Sequence, residues 1–185
     1  FYAALNNGAD AIYLSGKMFG ARSYAKNFTD DELKTVLRLG KIYGVKIYVT
    51  MNTLVKEKEV DDFLKEVEFL YSLGVDAILM QDFGMISLCL RRYPNLEIHA
   101  STQVNSSSYE TIKLLYEMGV KRVVLPREMS IDEVKKIDIP IELEVFVHGA
   151  LCVSYSGNCL FSSMLGGRSG NRGECVGSCR LPYKL

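Results

Sequence analysis

Amphipathic stretches and short apolar runs alternate along the chain, and a short phrase joins them four times. The phrase starts with a glycine, and its copies begin at Gly8, Gly44, Gly74 and Gly119. A glycine at this place suits the left-handed residue that ends a helix, and the apolar run after it suits a buried parallel strand. The pattern therefore predicts a helix end that leads directly into a strand, repeated along the chain.

Extending the pattern from these four points predicts six strands with helices between them. The strands are expected at residues 11–14, 46–51, 77–80, 97–100, 122–125 and 142–147. The helices are expected at residues 29–43, 59–73, 84–93, 106–118 and 130–137, and residues 1–7 have the pattern of the end of a preceding helix. Thr29 and Glu32 fit a capping box, which supports the first of these helix starts.

Strictly alternating strands and helices imply an α/β fold with a parallel sheet and right-handed crossovers. We expect a parallel (β/α) TIM-like barrel, present as a fragment with six visible strands that one strand before and at least one after would close. An open doubly wound sheet is the alternative, and it is disfavoured because no glycine-rich phosphate fingerprint follows the first strand. Residues 1–151 are expected to form the partial barrel domain, and residues 152–185 a cysteine-rich segment that continues beyond the fragment.

Composition narrows the class of protein. Apolar residues make up 48% of the 185 and charged residues 24%, which is typical of a globular domain, and no apolar run is long enough to span a membrane. The net charge is zero, so any attraction to nucleic acid must be local. Five cysteines, four of them within the last 34 residues, favour a reducing cytoplasm and metal ligation over a disulfide framework.

Polar residues follow the predicted strands at their carboxyl ends, where barrel enzymes place their active sites. These strand ends are Ser15-Gly16, Thr50-Met51-Asn52, Gln81-Asp82, Ser101-Thr102-Gln103, Pro126-Arg127-Glu128 and His148-Gly149. Together they would line one mouth with hydroxyls, amides, carboxylates, an arginine and a histidine. The sequence therefore predicts a pocket for a small polar ligand at this end of the barrel.

Three of these residues are candidate catalytic groups. Asp82 and Glu128 are placed to act as general acid or base, and His148 leads from the last strand into the cysteine segment. The alternatives are that Asp82 caps the following helix and that Glu128 pairs with Arg127. His99 lies inside a predicted strand and is interpreted as a buried, satisfied histidine. No Gly-x-Ser-x-Gly elbow occurs, which disfavours a serine hydrolase.

The four cysteines of the tail follow the spacing Cys152-x6-Cys159-x15-Cys175-x3-Cys179. Structural zinc sites pair cysteines two to four residues apart, twice, whereas irregular spacing of four thiolates favours a [4Fe–4S] cluster. Zinc remains the alternative. Arg168 and Arg172 lie in the glycine-rich loop between the cysteines, where they could hold an anionic substrate or RNA phosphates.

The segments 144–152 and 157–159, with Ser162, resemble the signature of the collagenase-like peptidases, a family of peptidases of unknown catalytic type. The segments 167–175 and 179–183 resemble the stretch that follows this signature in the family. Residues 8–16 and 19–22 resemble its amino-terminal barrel region. In some members the fourth cluster ligand resembles Cys179, and in others it is a cysteine farther along the chain. The likeness covers essentially all of the sequence.

The resemblance implies two different activities. The family name implies a peptidase with a peptide substrate. Several bacterial members instead look like iron–sulfur proteins that hydroxylate tRNA, ribosomal RNA or a quinone precursor without molecular oxygen, and the RNA-modifying members use prephenate. The four-thiolate site and the basic loop favour a cytoplasmic, prephenate-dependent RNA hydroxylase, with Arg127, Arg168 and Arg172 on the substrate. The remaining alternatives are proteolysis and a non-enzymatic iron–sulfur scaffold.

Overall fold

The computed structural model describes residues 1–184 and contains six strands. They are β1 (Ala11–Leu14), β2 (Lys46–Met51), β3 (Ala77–Met80), β4 (Ile98–Ala100), β5 (Arg122–Val124) and β6 (Glu142–Glu144). The first three have the predicted bounds, and the last three are shorter. The prediction for β6 was wrong at its end, because the strand stops at Glu144 and residues 145–147 have no regular structure.

Within residues 1–184, seven α-helices accompany the strands. They are α1 (Tyr2–Asn6), α2 (Asp30–Tyr43), α3 (Val60–Leu73), α4 (Phe83–Arg92), α5 (Tyr109–Met118), α6 (Ile131–Val134) and α7 (Phe161–Gly166). Gly44, Gly74 and Gly119 adopt the left-handed conformation at the ends of α2, α3 and α5. This confirms the prediction that the glycine of the recurring phrase ends a helix. Helix α6 is shorter than predicted, and α7, inside the cysteine tail, was not predicted.

All six strands are parallel and lie in the order β1-β2-β3-β4-β5-β6. A doubly wound sheet reverses its strand order at a switch point, so this order excludes that alternative. The sheet curls, since the Tyr13 hydroxyl on β1 donates to the Glu144 carboxylate on β6 although five strand positions separate them. The architecture is therefore a curled half-barrel. Closure into a complete barrel is not seen among residues 1–184.

The two faces of the sheet have different surroundings. The larger hydrophobic cluster lies between the sheet and the helices, and it includes Ile47 and Ile78 from the strands and Phe63, Leu70 and Ile112 from the helices. A second, smaller cluster of Tyr48, Ala77, Leu79 and Val124 lies on the inner face. None of the helices in residues 1–184 combines the length and apolar character that crossing a membrane requires.

Glycine permits one close approach in the larger layer. Gly40 lies on the buried face of α2, and a Cβ there would stand 2.7 Å from the Val45 carbonyl oxygen. Helix α2 can therefore pack closely against the segment that enters β2. Packing of this kind fixes the direction of β2, and with it the place where its carboxyl end reaches the mouth.

Candidate functional site

The carboxyl ends of β2, β3 and β4 are joined by polar side chains. We call Asn52, Gln81, Ser101, Gln103 and Asn105 the mouth cluster. The Asn52 amide donates to the Ser101 hydroxyl at 3.2 Å, and the Gln81 amide donates to the Gln103 carbonyl oxygen at 3.3 Å. Parallel strands bring these ends to one edge, as the sequence predicted. The mouth is therefore a polar surface that starts in the core of the half-barrel.

Asp82 caps α4, which was the alternative to a catalytic role. Its Oδ1 accepts from the Met85 backbone N–H at 3.1 Å, and its Oδ2 accepts from the Val55 backbone N–H at 3.2 Å. Both carboxylate oxygens thus serve backbone donors, and the second bond ties the loop after β2 to the start of α4. The cap is therefore confirmed, and proton transfer by Asp82 stays a prediction.

Glu128 and His148 are both exposed. No ion pair between Glu128 and Arg127 occurs in the described chain, where the Arg127 guanidinium instead donates to the Ala150 carbonyl oxygen and lies 4.1 Å from the Phe146 ring centroid. Because β6 ends at Glu144, His148 is four residues past the strand and not at its end. Their catalytic roles stay predictions.

The cysteine tail, residues 150–184, folds back across the mouth. The backbone N–H and the hydroxyl of Ser23 both donate to the Gly173 carbonyl oxygen, at 2.9 and 2.8 Å. The Asn105 amide donates to the Ser156 carbonyl oxygen at 3.3 Å. These bonds attach the tail to the loops that follow β1 and β4. The tail therefore covers the end of the half-barrel where the predicted pocket lies.

Arg172 provides a third attachment. Its guanidinium lies 2.6 Å from the Glu59 carboxylate and donates to the Leu54 carbonyl oxygen at 2.9 Å. The pKa of Glu59 is held below its usual range, first by the Lys56 backbone N–H and then by Arg172. Arg172 thus anchors the tail to the loop after β2. Arg172 already has protein partners, and its contact with substrate stays a prediction.

Arg168 lies on the outer side of the tail. Its guanidinium stands 5.2 Å from the ring centroid of the exposed Tyr24. The basic loop of the sequence is therefore divided, since Arg172 points to protein acceptors and Arg168 lies on an exposed aromatic ring. An exposed arginine on an aromatic side chain is the kind of surface on which RNA bases stack.

All four tail cysteines are free thiols. The Cys159 sulfur accepts from the Phe161 backbone N–H and the Cys175 sulfur from the Gly177 backbone N–H, each at 3.4 Å. A Cβ at Gly170 would stand 3.1 Å from the Cys159 carbonyl oxygen and 3.7 Å from the Cys175 Cβ, so these two cysteines flank one glycine.

Residues near the other two cysteines also meet. The Arg180 guanidinium, next to Cys179, donates at 3.3 Å to the carbonyl oxygen of Leu151, next to Cys152.

Thiols with backbone N–H donors fit an iron–sulfur cluster, because hydrogen bonds to the sulfurs tune such clusters. Within residues 1–184, however, no group of three or more His, Cys, Asp or Glu side chains is close enough to hold a metal ion. The donor chemistry therefore fits a cluster, while ligation by Cys152, Cys159, Cys175 and Cys179 stays a prediction. Cys89 is different, since burial in α4 raises the pKa of its thiol to about 12.

A charged network on the inner face was missed by the sequence interpretation. Arg122 lies 2.5 Å from the Glu142 carboxylate and 3.1 Å from the Glu144 carboxylate, and its guanidinium stands 5.3 Å from the Tyr48 ring centroid. Burial and then the bond to Glu144 raise the pKa of Tyr13. Glutamates two residues apart within a strand share one face, and that spacing could have revealed the network.

A model of peptidase family U32 matches residues 1–185. The sequence is 41% identical over 184 residues to the 23S rRNA 5-hydroxycytidine C2501 synthase of Escherichia coli K12. This match covers 98% of this chain and 28% of that protein. It is 39% identical over 184 residues to the tRNA hydroxylation protein P1 of Bacillus subtilis 168, with 98% and 44% covered. The chain therefore spans less than half the length of these curated relatives.

The fold is similar to that of the solved U32 peptidase Mk0906. The TM-score is 0.65 at 15% identity, and the match covers 77% of this chain and 64% of that chain. At this identity the likeness concerns the fold alone.

Proposed function

This chain belongs to peptidase family U32, and we propose on that basis that it is part of an iron–sulfur enzyme that hydroxylates tRNA or rRNA without molecular oxygen. Prephenate is the proposed small carboxylate co-substrate. The observation that carries the proposal is the identity of 41% and 39%, over 98% of this chain, to two proteins named for RNA hydroxylation.

The position of the cysteine tail supports a redox role for the mouth. Cys152, Cys159, Cys175 and Cys179 would hold the [4Fe–4S] cluster, with zinc as the alternative metal. When bound, such a cluster supplies one-electron redox chemistry. Ser23 and Asn105 donate to carbonyl oxygens of the tail, and Arg172 of the tail donates to the Leu54 carbonyl oxygen, so the segment that carries the four cysteines is attached at the mouth. A substrate held there would lie between the mouth cluster and the thiols.

The remaining candidate residues divide into two groups by what they contact. Arg168 is exposed on Tyr24 and is the best placed of the predicted substrate-binding arginines to meet RNA. Arg127 and Arg172 already bind backbone carbonyl oxygens and support the tail. Glu128 and His148 stay the exposed candidates for proton transfer, whereas both oxygens of Asp82 have backbone partners.

Nucleoside mass spectrometry of tRNA and rRNA tests the proposal. A deletion strain should lack one hydroxylated nucleoside, and the wild-type protein should restore it. Cys152→Ser, Cys159→Ser and Cys175→Ser should not restore it, whereas Cys89→Ala, which changes the buried fifth cysteine, should. Anaerobically purified wild-type protein should be brown, with broad absorption near roughly 400 nm. Colourless protein with stoichiometric zinc would refute the iron–sulfur assignment.

Proteolysis is the second candidate, favoured by the family's name. It requires hydrolysis of gelatin or peptides by the purified protein. Proteolysis is the correct function if a variant without the four tail cysteines still hydrolyses these substrates and the RNA nucleosides of the deletion strain are unchanged.

A further inference from the structure

Three oxygens of the mouth cluster are buried and have no hydrogen-bond partner among residues 1–184. They are Gln81 Oε1, Gln103 Oε1 and Asn105 Oδ1. The Gln81 and Gln103 residues are 5% and 8% exposed. Leaving a buried acceptor unpaired is costly, and nearly all such atoms in native proteins have a partner. Three of them in one cluster therefore point to a ligand that supplies donors.

The orientation of two of these amides is fixed by their neighbours. Gln81 Nε2 and Asn105 Nδ2 both donate to the Gln103 carbonyl oxygen, at 3.3 and 3.0 Å. A carbonyl oxygen can only accept, so the amide nitrogens must face it. For Gln81 and Asn105 the atoms left without partners are consequently the side-chain oxygens, so these two residues offer acceptors.

The cluster lies between the strand ends and the cysteine tail. Asn105 contacts the tail at the Ser156 carbonyl oxygen, and a Cβ at Gly157 would stand 2.7 Å from the Gln103 Cγ. Cys159 follows two residues later in the chain. A ligand bound to these amides would therefore meet the segment that carries the cysteines.

We propose that the mouth cluster is the site that receives one pyrimidine base of the RNA and binds its N–H edge. This inference rests on the proposed function for the identity of the partner and for the choice of a pyrimidine, because purine bases also carry N–H donors and one relative is named for 5-hydroxycytidine. Cytosine presents its amino group and uracil its ring N–H, and either donor complements amide oxygens. A carboxylate would bring more lone pairs to oxygens that already lack donors, so the anionic co-substrate belongs elsewhere on the mouth.

Equilibrium binding of short single-stranded RNAs to the complete holoprotein tests the inference, with one pyrimidine in an otherwise purine sequence. One probe pair compares cytidine with N4,N4-dimethylcytidine, and the other compares uridine with 3-methyluridine. We expect methylation to weaken binding by at least about tenfold in the pair that matches the true substrate. In Gln81→Met, which removes the acceptor and keeps the side-chain length, the difference should shrink to about twofold or less. The control Asn95→Met, in an exposed turn, should keep it.

The methylated probes act on the wild-type protein, so the inference can be tested even if Gln81→Met does not fold. Equal binding of the methylated and unmethylated probes in both pairs would overturn it. The inference would also be overturned if Gln81→Met gained thermal stability and still bound the unmethylated probe more tightly than the methylated one. The amide oxygens would then bind only ordered water and not the base. This experiment measures binding and not hydroxylation. If the protein discriminates between the probes but the deletion strain loses no hydroxylated nucleoside, the proposed function is refuted and the base-binding site is not.

Discussion

His99 shows how a single buried residue joins the inner face of the half-barrel. It is fully buried in β4, its Nε2 lies 2.9 Å from the Glu97 carboxylate, and its Nδ1 has no partner in the part of the chain that the structure describes. The Tyr48 ring stands 4.8 Å away, edge to face. The sequence interpretation was right about burial and right about pairing at only one of the two nitrogens. The residue lies beside the Arg122 network and not at the mouth.

The charge of His99 should make stability depend on pH. The pKa of His99 is lowered, mainly by burial and further by the positive charge of Arg122. The carboxylates of Glu97 and Glu144 act in the opposite direction and only partly offset this. Below about pH 6.5 the unfolded chain takes up a proton that the folded protein does not, so stability falls as pH drops towards the folded pKa. Over this range one proton contributes at most about 1.4 kcal/mol per pH unit.

Urea unfolding of the protein between pH 7 and 5 measures this dependence. His99→Gln should flatten the slope, and His148→Gln, at the exposed second histidine, should leave it as in the wild type. An unchanged slope in His99→Gln would show that another group causes the pH dependence.

At the scale of elements, the mouth is built from helix starts as much as from strand ends. Thr29, Asp82, Ser108 and Ser130 each accept a backbone N–H in the first turn of the helix that follows. Asp82 differs from the others because it also holds the loop after β2. A polar residue that follows a strand can thus serve the next helix, and this is why strand-end position alone does not identify catalysis.

Removing the Asp82 cap should cost stability and not chemistry. Asp82→Ala should lower the free energy of unfolding by about 1–2 kcal/mol, and the matched cap variant Ser108→Ala on α5 by about 1 kcal/mol. Asp82→Asn retains an oxygen for the cap and should still restore the RNA hydroxyl in the deletion strain. A stable Asp82→Asn protein with activity reduced by roughly 100-fold or more would instead support general acid–base catalysis.

At the scale of the whole molecule, the tail and the half-barrel are held together by a few polar contacts. The pair of Arg172 and Glu59 is about three-quarters buried, with side chains 27% and 23% exposed. Many tail side chains, including Leu151, Val153 and Met164, are exposed and contribute little packing to this docking. The position of the tail therefore depends on its attachment points more than on a hydrophobic core.

Hydrogen exchange of the tail tests this dependence. Arg172→Ala should speed exchange at residues 170–176, whereas Arg168→Ala, on the same tail but stacked on Tyr24, should not. The charge-swapped pair of Glu59→Arg with Arg172→Glu should restore slow exchange, with a coupling free energy of roughly 1 kcal/mol. Normal exchange in Arg172→Ala together with weaker RNA binding would show that Arg172 contacts substrate and does not anchor the tail.

The sequence by itself determined the parallel α/β plan, because glycine-ended amphipathic helices and short continuous apolar runs are local patterns that can be recognised without the tertiary structure. It also identified the polar strand ends and the family. Only the tertiary structure decided which polar groups have partners. The pairing of Arg172 with Glu59 spans 113 residues and that of Tyr13 with Glu144 spans 131, and no local pattern records such contacts. The unpaired amide oxygens of the mouth likewise became visible only once Gln103 and Asn105 lay against the tail.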